Sequence, residues 1–186
     1  MTRRSIGVIE TQFLSYTHDF SVTDRYIVHV ECPLITFPAS LPLRFGFFSY
    51  AKCYKWKPKF GTKFTVMDRI TGEVVAVAKS RAILSLHHVN AFEDDGTVSV
   101  DLVAFDDDSV ISGLYIDKMT SPDTRFISAD ARVIRFTIDI IKQAISEAPV
   151  SNDYVELPII NRKKYGYKDY SYIYGVGINP ENKDEF

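Results

Sequence analysis

The sequence predicts an all-β protein with one or two short helices. Three features carry this prediction. β-Branched and aromatic residues recur in short runs, turn signals separate the runs, and the clearest run alternates apolar with polar residues. Repeated hairpins of this kind suit a sandwich, a barrel or the blades of a propeller, and the pattern alone does not separate the three. The 186 residues are 46% apolar, enough for one domain with a real core. The expectation is therefore a single domain over 1–186.

In chain order, "RYIVHVE" (25–31) is the first strong strand candidate and stops before Pro33. "KFTVMDR" (63–69) and "EVVAVAK" (73–79) flank Ile70, Thr71 and Gly72, a hairpin-like connection. "RAILSLH" (81–87) follows. In "TVSVDLVAF" (97–105), Val98, Val100, Leu102 and Ala104 share one face, and Thr97, Ser99 and Asp101 the other. Asp94, Asp95 and Gly96 before it form a hairpin signal. "ARVIRFTID" (131–139) also alternates, and "YSYIYGVG" (170–177) is the last strand candidate. Helices are predicted at "SVISGLYIDKM" (109–119), weakened by Gly113, and at "DIIKQAISEA" (139–148). Asp139 is the expected N-cap of the second, and Pro149 its stop.

The formal net charge is -2, so no nucleic-acid partner is implied. The basic, aromatic run "KCYKWKPKFGTKF" (52–64) is read as a solvated strand edge, where lysine opposes edge-to-edge pairing. Cys32 and Cys53 have neither the spacing nor the company of a zinc site or a disulfide framework, which points to a reducing, cytoplasmic setting. No apolar run approaches the ~18 residues of a membrane span. The N-terminal "MTRRSIGVIETQF" lacks the apolar segment of a signal peptide and reads as entry into the middle of a domain.

The candidate chemistry lies in four histidines, His18, His29, His87 and His88. Successive strand residues face opposite sides, so an extended 81–88 allows at most one of the adjacent pair to face a given ion. His29, between Val28 and Val30, reads as a strand-surface or hydrogen-bonded histidine. His18, beside Asp19 at a strand entry, is unremarkable alone. No His-Glu-x-x-His, Cys-x-x-Cys, Walker loop, nucleophile elbow or dinucleotide fingerprint is present.

Four segments in order give the pattern a meaning. "SYTHDFSVTDRYIVHVECPL" (15–34) resembles a Tyr-x-His-Ser-Phe block running into an Ile-Val strand. "WKPKFGTKFTVMDRITGEV" (56–74) fits the same order. "HHVNAFEDDGTVSVDLVAFDD" (87–107) resembles a His-His-x-Asn-x-x-Glu block and its acidic strand. "VELPIINRKKYGYKDYSYIYGVGIN" (155–179) resembles a Glu-Phe/Leu-Pro-x-Ile-Asn block with an aromatic Tyr-Gly ending. Together they resemble the carotenoid cleavage oxygenase family, which includes the β-carotene oxygenases and the retinal pigment epithelium retinoid isomerase.

The resemblance implies part of a seven-bladed β-propeller, roughly three blades of it, built around a ferrous ion, Fe(2+), held by four histidines. By motif position His18 and His87 are two of those ligands, and Glu156 is the carboxylate that orients one of them. Asn90 selects His87 over His88, because the family's ligand lies three residues before the Asn. Neutral imidazoles suit Fe(II), open positions take O2, and a carboxylate on the second ring nitrogen fixes the tautomer. The implied reaction is cleavage of a double bond of a carotenoid or apocarotenoid, with retinoid isomerisation as the variant within the family. Such polyenes need an apolar, aromatic passage and an exit from the membrane, so peripheral membrane contact follows; the 13 Phe and 11 Tyr suit the passage. The blocks expected to bring the first and last histidines fall outside this chain. The alternative is therefore a catalytically inert fragment or paralogue that binds retinoid or carotenoid lipid. Departures from the pattern are Asp19 for Ser, Leu86 for Phe and Ile159 for Arg or Gln.

Overall fold

The computed structural model describes residues 3–37, 50–120 and 131–177. The last residues of the fourth block, 178 and 179, lie outside them. Two four-stranded antiparallel sheets dominate. The first has the order β2 (Ser21–Val22), β3 (Tyr26–Glu31), β6 (Thr62–Asp68), β7 (Val74–Ser80). The second is a meander of β8 (Leu84–Asp94), β9 (Thr97–Phe105), β10 (Arg132–Asp139) and β11 (Ala144–Tyr154). A smaller sheet joins β1 (Leu14–Ser15), β4 (Leu34–Thr36) and β5 (Lys55–Trp56), and a ribbon pairs β12 (Glu156–Ile159) with β13 (Tyr174–Val176).

Local chemistry explains the turns. Asp95 (φ 39°) and Gly96 (φ 78°) close the β8–β9 hairpin as a two-residue loop, with Asp94 paired to Thr97. Two positive φ values in succession are the signature of a type I′ turn, whose twist matches the strands. Between β6 and β7, Asp68 Oδ1 accepts the backbone N–H groups of Ile70 and Thr71. Gly72 there has φ 77°, and a Cβ on it would meet the Ile6 carbonyl oxygen at 2.1 Å.

The predicted helix over 139–148 is instead the β10–β11 hairpin. Asp139 does act as a cap, but of a turn: its Oδ1 accepts from the amides of Ile141 and Lys142. Gln143 then takes φ 51°, which reverses the chain, and Ile138 pairs with Ile145. Cross-strand pairing overrides the helical spacing of the apolar residues. Pro149 lies within β11, the outer strand, next to a register shift, where a missing N–H costs the ladder little. The predicted helix over 109–119 forms as two single turns, α1 (Ser109–Gly113) and α2 (Ile116–Met119), separated where Tyr115 is extended at ψ 140°. A third turn, α3 (Arg162–Tyr165), follows β12. Among the described residues no helix is long and apolar enough to cross a membrane.

The two large sheets share one core. Phe64 of β6 and Phe136 of β10 are fully buried and meet ring to ring at 4.9 Å. Burying each ring contributes roughly 1.5–3 kcal/mol. Val98, Val100 and Leu102 of β9 lie on the expected apolar face, fully buried. The other face, with Ser99 and Asp101, is buried as well, because the segment that follows β12 folds across it. Cys32 and Cys53 are free and buried, and burial pushes the Cys32 thiol up to about 12. Both sheets have one edge near the remaining features of interest: β8 packs against β2 and against β12.

Candidate metal centre

The strands that meet there carry the residues singled out above. His18 lies in the irregular segment just before β2, His87 lies on β8, and Glu156 opens β12. The rings of His18 and His87 stand edge to face, centroids 5.3 Å apart at 89°. His87 Nδ1 donates to Glu156 Oε2 at 2.6 Å. The same oxygen accepts the Leu157 amide at 2.8 Å. Leu157 has φ 51°, a left-handed conformation that costs a non-glycine residue of order 1 kcal/mol and concentrates at functional sites. It folds the backbone back onto the carboxylate and fixes its aim.

On the His18 side, the Tyr16 hydroxyl lies 3.3 Å from Nδ1. Tyr16 is itself anchored by its amide on the Leu34 carbonyl at 2.8 Å and by an edge-on contact with Tyr54. In both histidines Nδ1 thus has a partner on the protein, which leaves Nε2 as the available donor. The second oxygen of Glu156, Oε1, is closed off from solvent and has no hydrogen-bond partner among the described residues. A carboxylate so placed favours positive charge in its neighbourhood.

His88 turns away from this pair. It is 7% exposed, and its Nδ1 lies 2.7 Å from Ser21 Oγ. Burial, only partly offset by Asp19, lowers its pKa from 6.5 to about 4, so it stays neutral. The register of β8 against β9 shifts on both sides of His88. Bulges of this kind re-aim side chains and recur beside active sites. His29, on β3, is not brought to the His18–His87 pair. Its Nε2 lies 3.4 Å from Thr17 Oγ1, and its buried Nδ1 has no partner among the described residues. Burial lowers its pKa.

The two imidazoles and their carboxylate fit a divalent transition metal in donor type: nitrogen ligands with the tautomer fixed behind one of them. They do not make a complete shell. Among the described residues no group of three or more His, Cys, Asp or Glu side chains is placed to hold one ion.

Sequence reasoning missed the frame that holds these parts. Asn90 on β8 donates its side-chain amide to the carbonyls of Tyr165 and Lys168, at 3.2 and 2.9 Å. Asp101 is fully buried and accepts both Nε and Nη2 of Arg135, at 2.8 and 2.9 Å, and the Tyr170 hydroxyl at 2.5 Å. These bonds seat the segment after Glu156 against the sheet that carries His87. One signal was available. Asp101 and Arg135 are direct cross-strand partners, and opposite charges at paired positions mark an ion pair.

A family model described as "Retinal pigment epithelial membrane protein" matches residues 2–186. The chain is 33% identical over 110 residues to the carotenoid isomerooxygenase of Drosophila melanogaster, covering 59% of this chain and 18% of that protein. It is 30% identical over 177 residues to the chloroplastic carotenoid cleavage dioxygenase 8 of Arabidopsis thaliana, covering 87% of this chain and 30% of that protein. A solved apocarotenoid oxygenase variant from Synechocystis superposes with a TM-score of 0.72 at 21% identity, over 89% of this chain and 33% of that one. A cobalt-substituted form of the same oxygenase gives 0.71 at 21% identity, over 88% and 33%. The chain therefore spans a third or less of these relatives, and its two large sheets are part of the seven-bladed propeller of that fold. A metal is a family property, as the cobalt form illustrates. The four blocks, the fold and the match over 2–186 place the chain in the retinal pigment epithelial membrane protein family, the carotenoid cleavage oxygenases.

Proposed function

We propose that this chain supplies two ligands, His18 and His87, and one orienting carboxylate, Glu156, to the Fe(2+) centre of a dioxygenase that cleaves a double bond of a carotenoid or apocarotenoid. The observation that carries the reading is the His87–Glu156 bond at 2.6 Å beside the His18 ring. The names of the relatives support the substrate class. When bound, Fe(2+) supplies a site at which O2 and the polyene react.

The protein's part is positional. Glu156 holds the proton on His87 Nδ1, which keeps the Nε2 lone pair free for the ion. With Nε2 of His18 likewise engaged, its Nδ1–H faces the Tyr16 hydroxyl oxygen. Tyr16 also touches a residue of a neighbouring cleft. Tyr54, its edge-on neighbour at 5.3 Å, lines a cleft of about 430 Å³ together with Ala51, Ile111 and Tyr115. Asp108 and Ser112 also line it, so only its Ala51, Tyr54, Ile111 and Tyr115 wall offers a polyene apolar surface. Exposed Leu114, Ile116 and Met119 stand near the same cleft, with Lys52 and Lys55 on its wall. Apolar side chains beside lysines support peripheral contact with a membrane surface, from which the substrate would be collected.

The test is iron content and polyene cleavage in the full chain, followed by metal analysis and chromatography of apocarotenal products. Loss of both iron and product in His18→Ala and His87→Ala is the expected result. Retinoid or carotenoid binding that is iron-free and indifferent to His87→Ala overturns it in favour of an inert lipid binder.

A further inference from the structure

We propose that Asp19, Ser21 and His88 form a staple that sets the separation of the His18 and His87 imidazoles, making these three positioning residues. The inference rests on reading His18 and His87 as ligands, but the staple's effect on their spacing is measurable without metal.

His18 has little of its own to hold it. It is exposed, lies in an irregular segment between β1 and β2, and contacts Tyr16 through a 3.3 Å bond. A ligand pair has to be held to within roughly 0.5 Å to pre-form a metal site. The contacts that can do this come from the neighbours of His18, not from its own ring. Asp19 accepts the Phe20 amide with Oδ1 at 2.8 Å and the His88 amide with Oδ2 at 3.2 Å. One carboxylate thus ties the backbone just after His18 to the backbone just after His87. Ser21 Oγ and His88 Nδ1, 2.7 Å apart, repeat the tie between side chains. Both residues are buried, 5% and 7% exposed, which limits competition from water for the bond. Sixty-seven positions of sequence separate its partners, so the bond joins two segments that no local turn relates.

This assigns a purpose to the adjacent histidines. His87 faces outward to Glu156 and His18, while His88 faces inward and fixes the distance between the elements that carry the two rings. It also gives a reason for Asp19 where the resembled block has serine. A serine's single oxygen cannot accept both amides with the separate oxygens that a carboxylate offers.

The experiment compares wild type, Ser21→Ala, Ser21→Thr and Asp19→Asn as full chains. In metal-free protein, histidine-selective NMR reads the NOE between the His18 and His87 ring protons. Cobalt(II) titration followed by ligand-field absorption reads affinity and geometry. Ser21→Ala is expected to lose the NOE, weaken cobalt binding roughly 10- to 100-fold, as removal of outer-shell partners does, and alter the band pattern. Ser21→Thr restores all three. Asp19→Asn, which keeps the size and one acceptor, gives a smaller loss and decides the matter should Ser21→Ala not fold. Wild-type NOE intensity and cobalt affinity in Ser21→Ala, or in Asp19→Asn where it stands in, overturn the staple. Failure of wild type to bind cobalt, in a protein carrying all four histidines that the resemblance implies, overturns the iron reading instead, and the NOE comparison still judges the staple.

Discussion

Replacing Asp101 by Asn keeps the shape of a fully buried side chain and removes its charge. The native carboxylate accepts two bonds from Arg135 and one from Tyr170. An Asn amide in its place turns an N–H₂ group toward a guanidinium that can only donate. Breaking a buried ion pair from one side costs about 3–5 kcal/mol, chiefly through the charge left behind. Here Arg135 is 29% exposed and retains Asp169 at 3.3 Å. Solvent screening and that second carboxylate place the loss at the lower end, about 3 kcal/mol. This is about a 150-fold shift in the folding equilibrium. Urea unfolding followed by tryptophan fluorescence measures it. The double variant Asp101→Leu with Arg135→Met removes both charges together and should return to within about 2 kcal/mol of wild type, the remainder being the Tyr170 hydroxyl left without its acceptor. A single-variant loss below about 1 kcal/mol, or a double variant no better than the sum of the singles, contradicts the description of this pair as a buried, mutually dependent unit.

Three further outcomes are expected. Gly72→Ala drives a Cβ into the Ile6 carbonyl at a positive φ and should cost more than about 1 kcal/mol. Differential scanning calorimetry should show a Tm lower by a few degrees, about 2–4 °C per kcal/mol for a chain of this size; an unchanged Tm speaks against the close approach. Burial lowers the His29 pKa below its usual 6.5, so the folded state prefers the neutral ring. Stability from this group is fully present above pH 6.5 and erodes as pH falls below it. His29→Gln should therefore flatten the fall in urea midpoint between pH 7.5 and 5.5, and parallel curves for the two proteins exclude the effect. Glu156→Gln should leave the fold intact and reduce metal retention roughly 10- to 100-fold, read by metal analysis after dialysis; full retention argues against Glu156 as the orienting group.

The strands were readable because their signals are local. The run 97–105 is bounded by a turn whose residues supply the needed φ values, and β9 spans Thr97–Phe105. The 139–148 segment misled because its apolar spacing fits a helix, while the hairpin is decided by Asp139, Gln143 and pairing to β10. His18, His87 and Glu156 were singled out by motif order, and the structure places the two rings and the carboxylate side by side. Their supports were hidden for a physical reason. Ser21 and His88, or Asn90 and Lys168, are polar residues whose partners lie across the fold, and a one-dimensional pattern records neither direction nor depth. Asp101 is the instructive case. Alternation put it on the polar face of β9, and only the later segment 160–173 turns that face into interior.

The paired register of β8 and β9 steps over Leu86, His87 and Val89. A ladder without those slips would be more regular and would gain hydrogen bonds, yet it would swing the His87 ring to whichever side strict alternation dictates. Natural variation that trims β8 toward ideal pairing should thus yield a sturdier sheet and a blunter centre. In this strand a regular ladder and the direction of the His87 ring are opposing demands, and the register slips lie where the ring is aimed.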